Sequence, residues 1–262
     1  MKRYLSLYLY FVRFSFSKSL EFRMDFTFRI LMDTIYYFVN IMFFKVIYLH
    51  TPLLAGWNED QMMVFVAGYL MVDAINMTLF STNMWYLPFL INKGDLDYYL
   101  IRPVSPLFFI SLREFSVNSF INFLMTAAFF IYTILQLEGP LQFWNVMLYS
   151  ALLFNGAILH VTIQMIMILP VFWTQSSRGF VDLFYSMGLA MERPHRIYRG
   201  WLRIIFSTIL PFALIASYPA KIFLEGLEGK DILITALVTG SFWLLLSLVW
   251  KKGLENYSSA SS

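Results

Sequence analysis

Residues 92–108 read NKGDLDYYLIRPVSPLF. In an otherwise strongly apolar chain, this stretch holds two acids, two bases and two prolines. Gly94 permits a tight turn. Asp95 is placed to cap a helix, and Asp97 falls in its first turn, where a carboxylate favours the positive end of the helix dipole. Leu96, Tyr99 and Leu100 lie at i, i+3 and i+4 and form one apolar stripe. Pro103 drives Arg102 out of the α region, so the helix ends by about Ile101. Ser105 and Pro106 then read as the N-cap and first position of the next helix. The spacing predicts a helix of two turns or less, lying across one face of a membrane between two spans. An ordinary loop is a handful of polar residues. An element with a start, an apolar stripe and a double proline stop suits docking into a groove on a partner.

The membrane follows from composition. The 262-residue chain is 59% hydrophobic and only 13% charged, with a mean hydropathy of +0.65. Soluble domains carry about 25% charged residues. So much apolar surface cannot be hidden from water in a chain of this length, so its solvent is largely lipid. The many aromatic residues read as packing and interface belts. There are no cysteines, which excludes disulfides, thiolate metal sites and cysteine nucleophiles. His50, His160 and His195 are far apart and lack metal-ligand spacing, so no metal is expected. The net charge of +3 is modest, and no nucleic-acid partner is expected. The string GLEGKD at 226–231 lacks both the spacing of a phosphate-binding loop and the Ser or Thr after Lys. The chain is not expected to hydrolyse ATP itself.

Measured at about 20 apolar residues per span, the expected crossings are 27–49, 62–90, 107–136, 142–173, a short one at 177–192, and 232–250. Residues 1–25 lack a small-residue cleavage site. Tyr4, Tyr8, Val12, Phe16 and Leu20 recur every four residues, with Lys2, Arg3, Arg13, Lys18 and Arg23 reaching for phosphates, as in an interfacial helix. Lys and Arg mark the cytoplasmic side. The N-terminal segment, the 91–106 loop and Lys251-Lys252 carry bases, whereas the 50–61 loop has none. Six spans with both termini in the cytoplasm fit this pattern. Segment 193–203 disagrees, because Arg193, Arg196, Arg199 and Arg203 would count as inside. If so, 200–223, broken by Pro211 and Pro219, becomes the fifth span.

Polar residues within spans are functional by default, because lipid makes them costly. Arg29 and Asp33 are spaced for an ion pair, and so are Arg178 and Asp182. Asp73 and Asn76 lie in the second span; Asp73 serves either a packing hydrogen bond or translocation. His160 and Gln164 share a face of the fourth span. Asn118 and Asn122 share one on the third. Interhelical hydrogen bonds explain both pairs. No clustered acids and bases point to an intramembrane enzyme. An ion-driven transporter would need paired acids at mid-membrane, for which only Asp73 and Asp182 qualify.

The run Gly94-Asp95-Leu96-Asp97-x-x-Leu100-x-Arg102-Pro103-Val104-Ser105-Pro106-Leu107 resembles the signature of exporter-type (type-2) permease subunits of ATP-binding-cassette transporters. It is closest to a bacterial branch whose genes often pair two permeases with one ATPase. Pro194-x-x-Ile197-Tyr198-x-x-Trp201-Leu202-Arg203, Ile209-x-Pro211-Phe212-Ala213 and Tyr218-Pro219-Ala220 resemble the C-terminal pattern of the same branch. The resemblance implies a multi-pass protein of the bacterial inner membrane. Its 92–105 loop would be a coupling helix, with Gly94, Asp95, Leu96, Asp97, Tyr99, Leu100, Arg102 and Pro103 seated on an ATPase dimer that binds ATP and Mg. It also implies a second permease, identical or a sister chain. Residues 194–223 would be re-entrant helices closing the external mouth, with Arg193, Arg196, Trp201, Pro211 and Pro219 at the gate.

Overall fold

The computed structural model of the chain describes residues 2–21, 23–138, 142–176, 178–226 and 229–257. The side chains of Lys2, Leu20 and Arg23, part of the expected interfacial pattern, lie outside the described residues. All regular elements among the described residues are helices. Five are long and apolar enough to cross a membrane: Phe26–Tyr48, Glu59–Asn92, Val117–Leu135, Phe143–Thr174 and Gly229–Asn256. The chain is an all-α polytopic membrane protein, as its composition implies.

Two of these helices form the centre. The apolar windows of 59–92 and 143–174 are each 67% buried, against 11% and 17% for the first and last helices. The run Val64-Phe65-Val66-Ala67 is buried whole, so this helix is apolar on every side, as a central one must be. Gly68 leaves room for Tyr149 of the neighbouring helix, whose hydroxyl donates to the Val64 carbonyl at 3.0 Å. The outer helices instead turn Phe28, Ile35 and Phe38, and Leu233, Leu237 and Leu244, outward. Such apolar faces are at home only in lipid or against another membrane chain.

The 59–92 helix starts at a capping box. The Asn58 side chain accepts from the Gln61 amide, and Gln61 reaches back to the Asn58 amide. At Met77–Ser81 the helix widens into a π turn. There Ser116 donates its backbone N–H to the Thr78 carbonyl at 2.9 Å.

That contact corrects one expectation. The span expected at 107–136 is two helices, Pro106–Leu112 and Val117–Leu135, separated by an irregular stretch. The break is held by tertiary hydrogen bonds that no local pattern announces. Asn83 donates to the Glu114 carbonyl and accepts from the Glu114 amide, at 2.8 and 2.9 Å. The Phe115 amide donates to Ser15 at 3.1 Å. These partners satisfy the backbone groups that the break frees.

The segment expected as a short fifth span has less helix than its bounds. Only Arg178–Gly188 is helical there, 11 residues. That is about 16 Å of helix, roughly half a hydrocarbon core. Its start lies beside the foot of the 59–92 helix, where Asn92 donates to the Gln175 carbonyl at 3.0 Å. By Arg196 the chain has reached the opposite end, against Trp57. Residues 189–194 complete that passage without a helix. Short pieces follow at His195–Ile197, Trp201–Thr208, Phe212–Leu214 and Ser217–Glu225. Pro211, at the head of the Phe212–Leu214 turn, and Pro219 are both buried.

The Lys2–Glu21 helix and the end of the Gly229–Asn256 helix gather at the foot of the bundle with the 93–104 loop. The hydroxyl of Tyr4 accepts from the Ser105 amide at 3.2 Å, and the Phe11 ring meets Phe109 edge-on. Trp250 and Tyr257 pack on Phe172, in the same apolar cluster as Leu96.

Candidate functional site

The loop after Asn92 turns at Gly94, whose φ of 78° is in the region that suits glycine. One helical turn follows, Asp97–Leu100. Asp95 does not cap it. Leu96 holds the N-cap position, and no side chain supplies a cap bond. Leu96 is 0% exposed and Tyr99 is 9% exposed. The Leu96 amide donates to the Leu90 carbonyl at 3.1 Å, while the Tyr99 hydroxyl accepts a hydrogen bond from Arg113. So the apolar stripe expected to face a partner faces the protein's own core instead. It anchors the loop to the central helix. The outward face consists of Tyr98, 65% exposed, and Ile101, 81% exposed, with Pro103 also exposed. Arg102 folds back to donate to the Tyr98 carbonyl at 3.0 Å, its guanidinium 5.0 Å from the Phe109 ring centre. Sequence reasoning passed over Tyr98 and Ile101, because at this length either face of the turn fits a stripe.

At the opposite end, Arg196 donates to Glu225 at 2.5 Å, and the Trp57 indole donates to the other oxygen of the same carboxylate at 2.9 Å. Burial raises the Glu225 carboxyl. The bonds from Arg196 and Trp57 outweigh it and hold the group below its ordinary value. His195 is buried and shares a 2.7 Å hydrogen bond with the Ser217 hydroxyl. Burial, aided by Arg203, Arg196 and Lys221, pushes His195 down to about 4. Arg193 lies 5.8 Å from the Phe43 ring centre, and Trp201 is exposed. Of the five gate expectations, Arg193 and Arg196 thus lie at the Trp57 end, and Pro219 is on the helix whose last residue, Glu225, is bonded there.

Between the ends is a cavity of about 380 Å³. It gathers Asp73, Asn76, His160 and Gln164, four of the five intramembrane residues singled out from sequence. Asp73 accepts from Tyr37 at 3.2 Å. Gln164 donates to Tyr185 at 3.0 Å, and His160 stacks on Phe184 at 5.4 Å. Asp182, the fifth, lines a second cleft of about 500 Å³ with Arg178, and the two share Gln164 and Tyr185 as common walls. The expected Arg178–Asp182 ion pair is not formed. Asp33 accepts from Asn122 at 2.8 Å, which ties the first and third long helices together. Asn118 bonds locally to Ser116 instead.

The cavity also holds residues that sequence reasoning missed. Glu192 accepts from Tyr36 at 2.8 Å and from Tyr69 at 3.3 Å, and the two tyrosine hydroxyls are 2.7 Å apart. The tyrosines read as belt residues. Glu192 sits in an arginine-rich segment that reads as surface. The available signal was its position directly after the short fifth apolar run.

The model of the ABC-2 family transporter proteins matches residues 34–261. No curated protein and no solved structure matches the chain. The family match takes in the first long helix from Thr34 on, the other four and both ends of the bundle. On that coverage, the chain belongs to the ABC-2 family of transporter proteins and is an ABC transporter permease.

Proposed function

We propose that the chain is one half of an ATP-driven exporter of the bacterial inner membrane, with both termini cytoplasmic. Its 93–104 loop seats on a separate ATPase subunit, and ATP and Mg are bound there. Residues 194–225 close the outer mouth. A second permease, identical or a sister chain, packs against the outward apolar helices and completes the path.

The observation that carries this reading is the build of the loop. Leu96 and Tyr99 fix it into the core at the foot of a 34-residue helix, while Tyr98 and Ile101 point away. A rigid base with an apolar tip is what a mechanical handle requires. An exposed Tyr at a protein–water boundary is also a residue type that anchors in a partner groove, and Ile101 adds apolar area beside it. The central helix then links that handle to the cavity at Asp73 and to Trp57 at its far end.

Co-purification of the ATPase tests the reading. Tyr98→Ala with Ile101→Asp leaves the fold intact and should abolish capture of the ATPase and its stimulated turnover. Unchanged capture by the double variant overturns the docking assignment.

A further inference from the structure

The cavity at Asp73 has a one-sided chemistry. Asp33, Asp73 and Glu192 line it, and no Lys or Arg does. The Tyr36 and Tyr37 hydroxyls are already committed to Glu192 and Asp73. Asn76, only 4% exposed, donates one amide hydrogen to the Val72 carbonyl at 3.0 Å. Its side-chain oxygen has no partner at all. An orphaned buried acceptor in a native core calls for an explanation. The orphaned atom in this wall is therefore an acceptor, set among carboxylates, with His160 and Ser81 as neutral polar groups beside them.

Aromatic faces complete the wall. Tyr69, Phe184 and Tyr185 line the void, and Asn76 adjoins the π turn at Met77–Ser81, a distortion frequent at functional sites. Carboxylates in a low-dielectric void are costly unless they take up a proton or a cation joins them. Among the described residues, no three His, Asp or Glu side chains converge closely enough to hold a metal ion. A cation with apolar substituents meets both walls. Its charge lies near the carboxylates and over the aromatic faces, and its body lies among Val72, Met77 and Leu189.

We propose that this cavity is a substrate site for an amphipathic organic cation, a step that rests on the permease reading above. Asp73 and Glu192 supply the charge recognition, Asn76 an acceptor, and the aromatic wall the shape.

The test uses the permease–ATPase complex in lipid nanodiscs and two ions of nearly equal shape and opposite charge. Equilibrium dialysis measures radiolabelled tetraphenylphosphonium and tetraphenylborate, with empty nanodiscs subtracted. The parent complex should bind the phosphonium and discriminate against the borate. Asp73→Asn and Glu192→Gln, both near-isosteric, should each weaken phosphonium binding about tenfold, the equivalent of about 1.4 kcal/mol. Equal binding of the two ions by the parent, or parent-like affinity in both variants, overturns the proposal. The ion comparison on the parent needs no variant to fold. ATPase capture by the same preparation keeps the two readings apart. Captured ATPase without phosphonium binding sinks the substrate assignment alone, whereas phosphonium binding without capture sinks the coupling assignment alone.

Discussion

Arg196 and Glu225 meet at 2.5 Å, joining the His195–Ile197 turn to the end of the Ser217–Glu225 helix. Trp57 holds the other carboxylate oxygen, so a single acid ties the 50–58 loop to both halves of the 193–225 segment. The pair is about one-third exposed on each side. Arg196→Ala should therefore cost only about 1 kcal/mol of stability. It should nevertheless loosen the loop. Because the parent has no cysteine, Leu53→Cys can be labelled alone, and its labelling rate should rise several-fold in the Arg196→Ala background.

The same end carries a pH dependence. His195 takes up a proton only near pH 4 when folded, against about 6.5 when free. The unfolded chain therefore binds more protons between these values, so stability is full above about pH 6.5 and falls as pH drops toward 4. Glu225 has a folded value below its ordinary one. Its contribution is present above that ordinary value and is lost as pH falls through the folded one. Thermal unfolding from pH 8 to about 3 should show the His195 loss first, and His195→Gln should flatten that limb while leaving the acid limb.

The 93–104 loop separates anchoring from docking. Leu96→Ala empties a fully buried site and should cost about 2–5 kcal/mol. Ile101→Ala removes an exposed side chain and should change stability by about 0.5 kcal/mol or less, while weakening ATPase capture. Thermal unfolding and capture, measured on both variants, should rank them in opposite order.

Gly156 is where the fourth long helix touches the 212–216 segment. A methyl group added there would meet the backbone carbonyl of Ile215. Gly156→Ala should destabilise by about 1–3 kcal/mol. Gly240, in the helix Gly229–Asn256, has nothing within 4 Å of such a methyl, and Gly240→Ala should stabilise by about 0.4–1 kcal/mol. Melting temperatures of the two variants should move in opposite directions.

Five long apolar helices were legible because a lipid environment leaves apolar runs that need no partner to interpret. The Gly94 turn and the Pro103 and Pro106 punctuation were legible because they act locally. The break at 113–116 was not, since Asn83, Ser15 and Thr78 hold it from other parts of the chain. The inward turn of Leu96 depends on the Leu90 carbonyl and the apolar cluster behind it, which a four-residue helix does not encode in its own spacing. The capping box Asn58-Glu59-Asp60-Gln61 was readable and would have set the start of the second span earlier. For the cavity, sequence gave Asp73, Asn76, His160 and Gln164 as separate polar residues. Only packing brought them together with Glu192 and the tyrosines.

Position 101 is the most direct probe of the coupling account. Ile101→Cys, placed alone in the cysteine-free chain, is coupled through a short bifunctional linker to the co-expressed ATPase in native membranes. A cross-linked permease–ATPase band at position 101, changing in yield between nucleotide-free and ATP-bound states and absent for Leu53→Cys, is the predicted result. A band from Leu53→Cys instead, or labelling of position 101 only by reagents added outside the cell, contradicts it.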